Sequence, residues 1–290
     1  MTSAPVLTAL LVGGIAAITS GIIGVFSVLR TQSFAGHSLA DIATTGGAAA
    51  FLAGVNQFWG FLVMGLAASA TMEAIGVQRR RGRDVATGVV LGGGLGLAAL
   101  FLYLGTQRTS TTGASFSLLF GSIFVLAPGT IPAVLAAGVV TLIVVALLGK
   151  RLLLTAISPD LARARGVNVR LTGMYFLMAL AVTVSLSAIA IGAVLSTALL
   201  VGPAATALRI TRSPVRAMIV SAVTGLAATC IGIWLAYESY YWPPHGHTWP
   251  VSFFVVALVL TGYLLSYARR PRPPVAPRSP HVEEAECFLT

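Results

Sequence analysis

Charged side chains are scarce in this sequence. Only 9% of its 290 residues are Asp, Glu, Lys or Arg, whereas soluble domains carry roughly 25%. Hydrophobic residues make up 57% and form continuous runs, and a helix needs about 20 such residues to cross a bilayer. The runs lack the alternation of polar and apolar residues that barrel strands require. The sequence therefore predicts an all-α, polytopic transmembrane helical bundle.

Cysteine and catalytic motifs are also nearly absent. Cys230 lies in an apolar run and Cys287 near the C-terminus, without the spacing of metal ligands, so we expect no disulfide framework. The sequence contains no G-x-x-x-x-G-K-[ST] phosphate loop and no H-E-x-x-H metalloprotease motif. It therefore favours a membrane protein that is not an enzyme, has no cofactor and hydrolyses no ATP itself.

Basic residues give the net charge of +10 and fall in clusters between the apolar runs. One crossing before the first cluster, and two between successive clusters, place every Lys and Arg except Arg108 on one side of the membrane. Because basic loops stay in the cytoplasm, this pattern predicts nine spans, an outside N-terminus and a cytoplasmic C-terminus. The clusters are Arg30, Arg79–Arg83, Lys150–Arg170, Arg209–Arg216 and the arginines from Arg269 onward.

Three segments complete the predicted topology. Pro203 is expected to interrupt the crossing in which it lies, so eight spans with one broken or re-entrant element are an alternative. The short apolar run Ser115–Gly129 predicts a half-length or re-entrant helix on the outer side. Residues 269–290 are rich in proline and charge and are predicted to form a disordered cytoplasmic tail, which leaves residues 1–268 as the transmembrane domain.

Small residues line one face of a predicted span. Gly88, Gly92 and Gly96 recur every four residues, and this spacing lets helix backbones approach closely in lipid. We expect these glycines to pack helices together, either within the chain or between subunits.

His37 and Asp41 are ionisable residues inside a predicted span, where such groups are costly and usually functional. They follow Arg30 by seven and eleven positions, which puts them roughly 10 and 16 Å into the hydrocarbon layer. The i, i+4 spacing places both on one helix face, where imidazole and carboxylate can share a divalent transition metal. The alternatives are a His–Asp hydrogen bond that braces the bundle, and a proton relay.

Other polar residues are weaker candidates. His245 and His247 lie in a predicted outer loop and could capture metal. Glu73 is expected to pair with a neighbouring arginine or Asp84. In the cytoplasmic loop Ile157–Val169, Ser158 or Asp160 can cap a short helix that ends at Gly166. That helix either docks onto another protein or is a solvated connector.

Several stretches together resemble the membrane permease of the metal-ion ATP-binding-cassette importers, whose members carry zinc, manganese or iron. They occur in the family's order over about residues 6–268. The stretches are LRTQSFAGHSLADIATTGGAAAFLAG, RGRDVATGVVLGGGLGLAALFL, SLLFGSIFVLAPG, SPDLARARGVNV and IGAVLSTALLVGPAATALRI.

The resemblance implies a dimer of membrane subunits, two separate cytoplasmic ATP-binding subunits and an extracytoplasmic metal-binding protein. It also implies that the loop SPDLARARG docks onto the ATPase. By position, the residues that carry this coupling role are Asp160, Ala162, Arg163, Ala164 and Gly166.

The sequence departs from the family around His37. Many members read G-D-x-L-x-H followed three residues later by Pro-Gly, whereas here His37 follows Gly36, Asp41 stands at the usual histidine position, and Thr45 replaces the proline. The two ligand types remain on one face in reversed order, and mixed donors suit zinc and manganese comparably well.

These observations lead to one hypothesis and two alternatives. The hypothesis is the permease subunit of an importer for a divalent metal, zinc or manganese, that works by alternating access in the inner membrane. One alternative is a permease for metal chelates of the siderophore type. The other is an intramembrane enzyme that uses His37 and Asp41 as acid and base, which the lack of a catalytic constellation disfavours.

Overall fold

The computed structural model of the chain describes residues 4–74, 83–109, 113–121, 123–125, 129–242 and 249–268. Within these ranges the chain forms helices and contains no strand, which confirms the predicted all-α class. The helices are α1 (Ala4–Leu29), α2 (Ser33–Leu52), α3 (Gln57–Ala74), α4 (Arg83–Thr109), α5 (Gly113–Phe120), α6 (Thr130–Ile157), α7 (Pro159–Ala164), α8 (Val169–Ile191), α9 (Ser196–Ile210), α10 (Pro214–Glu238) and α11 (Val251–Ala268), with short 3₁₀ turns at Ile123–Val125 and Ser239–Tyr241.

Five of the described helices are long and apolar enough to cross a membrane by themselves. They are α1, α6, α8, α10 with the turn after it, and α11. The other long helices, α2, α3 and α4, carry more small or polar residues. The chain is thus a multi-pass membrane protein, whereas the number of nine spans stays a prediction. The predicted half-length helix between Ser115 and Gly129 corresponds to α5, which has eight residues.

Helices α1 and α8 lie at the centre of the bundle, and most of their residues are buried. Hydroxyl groups link them to each other and to α3. Ser20 on α1 and Ser187 on α8 share a hydrogen bond of 2.7 Å, and Ser185 donates to the Phe61 carbonyl on α3 at 3.2 Å. Hydrogen bonds between helices stabilise membrane bundles because lipid cannot replace them.

The α2–α3 pair packs at very short range through two glycines. A Cβ atom added at Gly46 would collide with the Gly60 carbonyl, and one added at Gly60 would collide with the Gly46 carbonyl. On the next face of α2, Thr45 donates to the Gly94 carbonyl of α4 at 2.7 Å. These contacts fix α2 between its two neighbours.

The prediction that Pro203 breaks its crossing is wrong. Helix α9 continues through Pro203, and the break lies earlier, between α8 and α9. There Gly192 has a φ of +90°, a value that favours glycine, and its Cα approaches the Leu119 carbonyl so closely that a side chain would collide. Proline is tolerated inside membrane helices because neighbouring groups satisfy the freed backbone. The chain therefore turns at Gly192.

The ends of α1, α3, α6 and α8 meet in a cluster of charged groups. Arg30 donates to the Thr155 hydroxyl at 2.8 Å and lies 5.1 Å from the centroid of the Phe176 ring. The Arg170 Nε lies 3.8 Å from the Glu73 carboxylate. Glu73 thus pairs with an arginine, as expected, although that arginine is distant in sequence. Two of the basic segments predicted to be cytoplasmic, at Arg30 and at Lys150–Arg170, therefore share one end of the bundle.

Candidate metal-binding site

Helix α2 carries both residues of the predicted site. It begins at Ser33, so His37 lies in its second turn and Asp41 one turn further from the basic end. Gly36 packs against the side chains of Leu200 and Leu180, which holds this part of α2 close to α8 and α9. His37 and Asp41 consequently occupy fixed positions on one face of a well-packed helix.

The two side chains are in contact. The His37 Nε2 and the Asp41 Oδ2 are 3.4 Å apart, as the i, i+4 spacing predicts. The imidazole is 44% exposed, whereas the carboxylate-bearing side chain is 11% exposed. The imidazole is therefore accessible from outside the single chain, and the carboxylate lies behind it at the same site.

A third residue, Thr197, orients the imidazole. Its hydroxyl lies 3.0 Å from the His37 Nδ1, so the two ring nitrogens have different partners. Thr197 is the second residue of α9, just after the turn at Gly192. Backbone bonds from Ala193 and Val194 to α5 carbonyls hold that turn. An outer partner of this kind fixes the orientation of a ligating histidine.

Sequence analysis missed Thr197. It is 160 positions from His37, and no local motif connects the two. The available signal was the stretch IGAVLSTALL, which combines a helix break with two hydroxyl residues, but nothing in it indicates which helix those hydroxyls face.

Chemically, the site offers an imidazole nitrogen and a carboxylate oxygen, with a threonine hydroxyl next to the ring. Nitrogen and oxygen donors suit zinc and manganese. Within the part of the chain that the structure describes, no group of three or more His, Cys, Asp or Glu residues could hold a metal ion. One chain therefore supplies two strong ligands here, which is too few for a closed structural site.

The predicted short helix of the cytoplasmic loop is α7. The Ser158 hydroxyl accepts a hydrogen bond from the Leu161 amide at 3.2 Å, so Ser158 rather than Asp160 is the N-cap. Asp160 instead pairs with Arg163 at 2.8 Å. Gly166, with a φ of +73°, follows the C-cap. The helix therefore begins and ends where the sequence predicted.

The five residues assigned to ATPase coupling do not share one environment. Asp160, Arg163, Ala164 and Gly166 are exposed, whereas Ala162 is fully buried. The same segment exposes two large apolar side chains, with Ile157 78% and Leu161 45% exposed. Ala162 thus anchors α7 to the bundle, and the opposite face presents mixed charged and apolar groups.

Gly92 and Gly96 of α4 do not pack against other residues in the described part of the chain. A Cβ added at Gly92 or Gly96 would meet no atom within 4 Å. The face of α4 that contacts α2 contains Gly94 and Gly105 instead. Packing between subunits is the alternative that remains for Gly92 and Gly96, and it stays a prediction. The surroundings of Gly88 lie outside the described part of the chain.

Some predictions fall on residues that the structure does not describe. His245 and His247 belong to this group, as does the tail 269–290. The boundary between residues 1–268 and the tail also stays a prediction.

Comparison with known proteins finds membrane proteins of metal uptake systems. The chain is 33% identical over 233 residues to the manganese import system permease protein ScaB of Streptococcus parasanguinis, which covers 80% of each chain. It is 27% identical over 206 residues to the high-affinity zinc uptake system membrane protein ZnuB of Haemophilus influenzae, covering 71% of this chain and 78% of that protein.

Two solved structures are similar in fold. PsaBC from Streptococcus pneumoniae, in complex with a Fab, matches with a TM-score of 0.77 and 25% identity over 92% of each chain. An inward-facing putative metal-chelate type ABC transporter matches with a TM-score of 0.70 and 15% identity, over 91% of this chain and 85% of the other, and shows the fold alone.

The model of the ABC 3 transport family matches residues 3–265. With that match over nearly its whole length, the chain belongs to the ABC 3 transport family and is a multi-pass membrane permease.

Proposed function

We propose that this chain is the permease subunit of an importer for a divalent metal ion, zinc or manganese. The observation that carries the proposal is the contact of His37 with Asp41 on one face of α2, with an accessible imidazole held by Thr197. The manganese and zinc systems named among its relatives support the same substrate class.

In this proposal His37 and Asp41 line the path of the metal. Two ligands from one chain bind an ion weakly, which suits a point of transit. A second permease subunit facing the first would bring two more ligands of the same types and complete four-coordination. The exposed side of His37 and the open face of α4 at Gly92 and Gly96 are the surfaces through which such a pair would meet.

The energy comes from partner subunits. The exposed face of α7 and its flanks, with Ile157, Leu161, Asp160 and Arg163, is suited to dock onto a cytoplasmic ATP-binding subunit, two of which serve the dimer. Alternating access then follows from the ATPase cycle acting on α7. An extracytoplasmic metal-binding protein delivers the ion on the opposite side, with the N-terminus outside and the C-terminus in the cytoplasm.

The test is metal uptake into proteoliposomes that contain the full chain with its ATPase and binding protein. Loss of a residue that only orients a metal ligand costs at least about tenfold in metal affinity or activity. We therefore expect His37→Ala and Asp41→Ala, which remove the ligands themselves, each to lower uptake of radioactive zinc or manganese more than about tenfold. Ser38→Ala is the matched control, because among the described residues the Ser38 hydroxyl bonds only to the Phe34 carbonyl of its own helix. Unaltered uptake by both site variants would contradict the proposal.

Uptake of a metal chelate distinguishes the main alternative. A chelate permease would carry a chelated ion as well as or better than the free ion and would not need His37 or Asp41 as ligands. We expect the wild-type protein to take up the free ion and not its chelate.

A further inference from the structure

An apolar groove lies on the outer surface of the bundle, away from His37 and Asp41. It has a volume of about 750 Å³ and is formed by α1, α6 and α10. Its walls are residues such as Phe26, Val145 and Leu226. Several wall residues face outward, including Ile219 and Val223, which are 60% and 58% exposed. The groove therefore opens toward the lipid.

The direction of the groove follows from the packing of its helices. On α1, Gly14 contacts Leu226 and Gly21 contacts Ala222, so α10 runs antiparallel to α1. The groove therefore begins near Phe26 and Val215 at the basic end of the bundle and finishes near Ile18 and Leu226. The wall residues on each helix extend over eight to eleven residue steps, or roughly 12–16 Å of helix. This length matches one leaflet of a hydrocarbon core that is about 30 Å thick.

Lys150 is the single charged residue among the groove's walls, and it lies at the basic end. It is exposed and, among the described residues, has no carboxylate within ion-pair distance. Exposed arginines flank it, with Arg151 next to it and Arg216 next to Val215. The end of the groove thus combines several positive charges with no described acidic side chain.

We propose that this groove binds one anionic phospholipid of the leaflet at the basic end. An acyl chain lies along α1, α6 and α10, and the phosphate of the headgroup contacts the Lys150 ammonium. The apolar walls match the chain in length and polarity, and the unpaired cation matches the phosphate in charge. Attraction of an anionic surface to one nearby Lys is worth about 1 kcal/mol, which predicts about fivefold preference over a zwitterionic lipid with the same chains.

A second copy of this chain fits the groove less well. In a dimer whose twofold axis is normal to the membrane, the partner's Lys150 would lie at the same depth as the first. Two exposed ammonium groups would then face each other, with no described carboxylate to separate them. A phospholipid supplies the opposite charge at that position.

Native mass spectrometry of the full chain measures this binding directly. The protein is mixed with phosphatidylglycerol and phosphatidylcholine of identical acyl chains, and the retained lipid of each kind is counted. We expect phosphatidylglycerol to be retained about fivefold more by the wild-type protein. Lys150→Gln should reduce it to the level of phosphatidylcholine. Arg165→Gln is the matched control, because Arg165 is exposed but does not line the groove, and it should keep the preference.

A second pair of variants tests the groove itself. Ala146 is an exposed wall residue, so Ala146→Phe should fill the groove and lower retention of both lipids. Leu147→Phe, on the lipid-facing surface beside the groove, should leave both unchanged. Undiminished phosphatidylglycerol retention by Lys150→Gln or by a folded Ala146→Phe protein would overturn the proposal. So would efficient disulfide cross-linking of two A146C chains, because it would identify the groove as a subunit interface.

Discussion

At the residue scale, the candidate site depends on three side chains from two helices. The contact between His37 and Asp41 is a consequence of helical periodicity, since positions i and i+4 share a face. The position of Thr197 next to His37 is a consequence of tertiary structure, because the turn at Gly192 brings the start of α9 opposite α2. The pair could therefore be predicted from sequence, whereas the third residue could not.

Thr197 should matter for metal affinity without being a ligand. Thr197→Val removes the hydroxyl at the His37 Nδ1, frees the ring to rotate, and is expected to raise the KM for metal uptake about tenfold. Thr197→Ser keeps the hydroxyl and should restore most of the affinity. The measurement is the concentration dependence of uptake in proteoliposomes.

Thr206→Val is the control for this change. The Thr206 hydroxyl bonds to the Gly202 carbonyl within α9 and does not contact His37, so its loss should leave the KM unchanged. Equal KM values for Thr197→Val and the wild type would show that the Thr197 hydroxyl does not position the imidazole.

The close α2–α3 contact gives a stability prediction. Gly60→Ala forces a methyl group against the Gly46 carbonyl, and overpacking of this kind costs about 1–3 kcal/mol. We expect a lower temperature of thermal unfolding in detergent. Gly92→Ala is matched to it, because the added methyl group meets nothing within 4 Å, and it should not lower the unfolding temperature of the isolated chain. The opposite order of the two variants would contradict this packing.

At the element scale, α7 shows how a short loop helix is specified locally. Its N-cap, Ser158, and its C-terminal glycine, Gly166, adopt roles that the sequence predicts, and Pro159 occupies the first turn. Boundaries of this kind could be predicted because they depend on neighbouring residues. The break between α8 and α9 could not, since it depends on the approach of Gly192 to α5 rather than on the more conspicuous Pro203.

Loss of the α7 cap should weaken coupling while leaving the metal site intact. Ser158→Ala removes the bond to the Leu161 amide and is expected to cost about 1 kcal/mol of local helix stability. Amide hydrogen exchange across residues 159–165 should become faster, and metal-dependent ATP turnover of the assembled transporter should fall. Ser158→Asp, which retains a capping oxygen, should behave like the wild type. Slowed uptake with unchanged exchange in Ser158→Ala would indicate a role other than capping.

The glycines that pack helices together in the structure differ from those that the sequence predicts. The regular spacing of Gly88, Gly92 and Gly96 indicated a packing face, yet a close helix contact in the described part of the chain uses Gly46 and Gly60. A single sequence reveals periodicity along one helix but not the partner that each face meets. The exposed α4 glycines are consistent with a contact outside this chain.

At the scale of the whole molecule, charge distribution predicts the membrane orientation. One end of the bundle contains the contacts of Arg30 with Thr155 and of Arg170 with Glu73, in agreement with one basic side. Apolar content and charge clustering were enough to predict an all-helical membrane protein. The number of spans was harder to predict, because α2, α3 and α4 are rich in small residues.

The orientation can be tested with single cysteines in a chain that carries Cys230→Ser and Cys287→Ser. Arg165→Cys lies in the loop after α7, and Tyr241→Cys lies in the turn after α10. We expect a membrane-impermeant thiol reagent to label Tyr241→Cys in intact cells, and Arg165→Cys after the membrane is opened. Labelling of both from the same side would contradict the nine-span topology.

The central claim is that His37 and Asp41 bind the transported metal. X-ray absorption at the edge of whichever metal is taken up, zinc or manganese, tests it most directly in the full reconstituted transporter. The account predicts nitrogen and oxygen ligands with the outer-shell scattering of an imidazole, and loss of that scattering in His37→Gln. Imidazole scattering that persists unchanged in His37→Gln would contradict it.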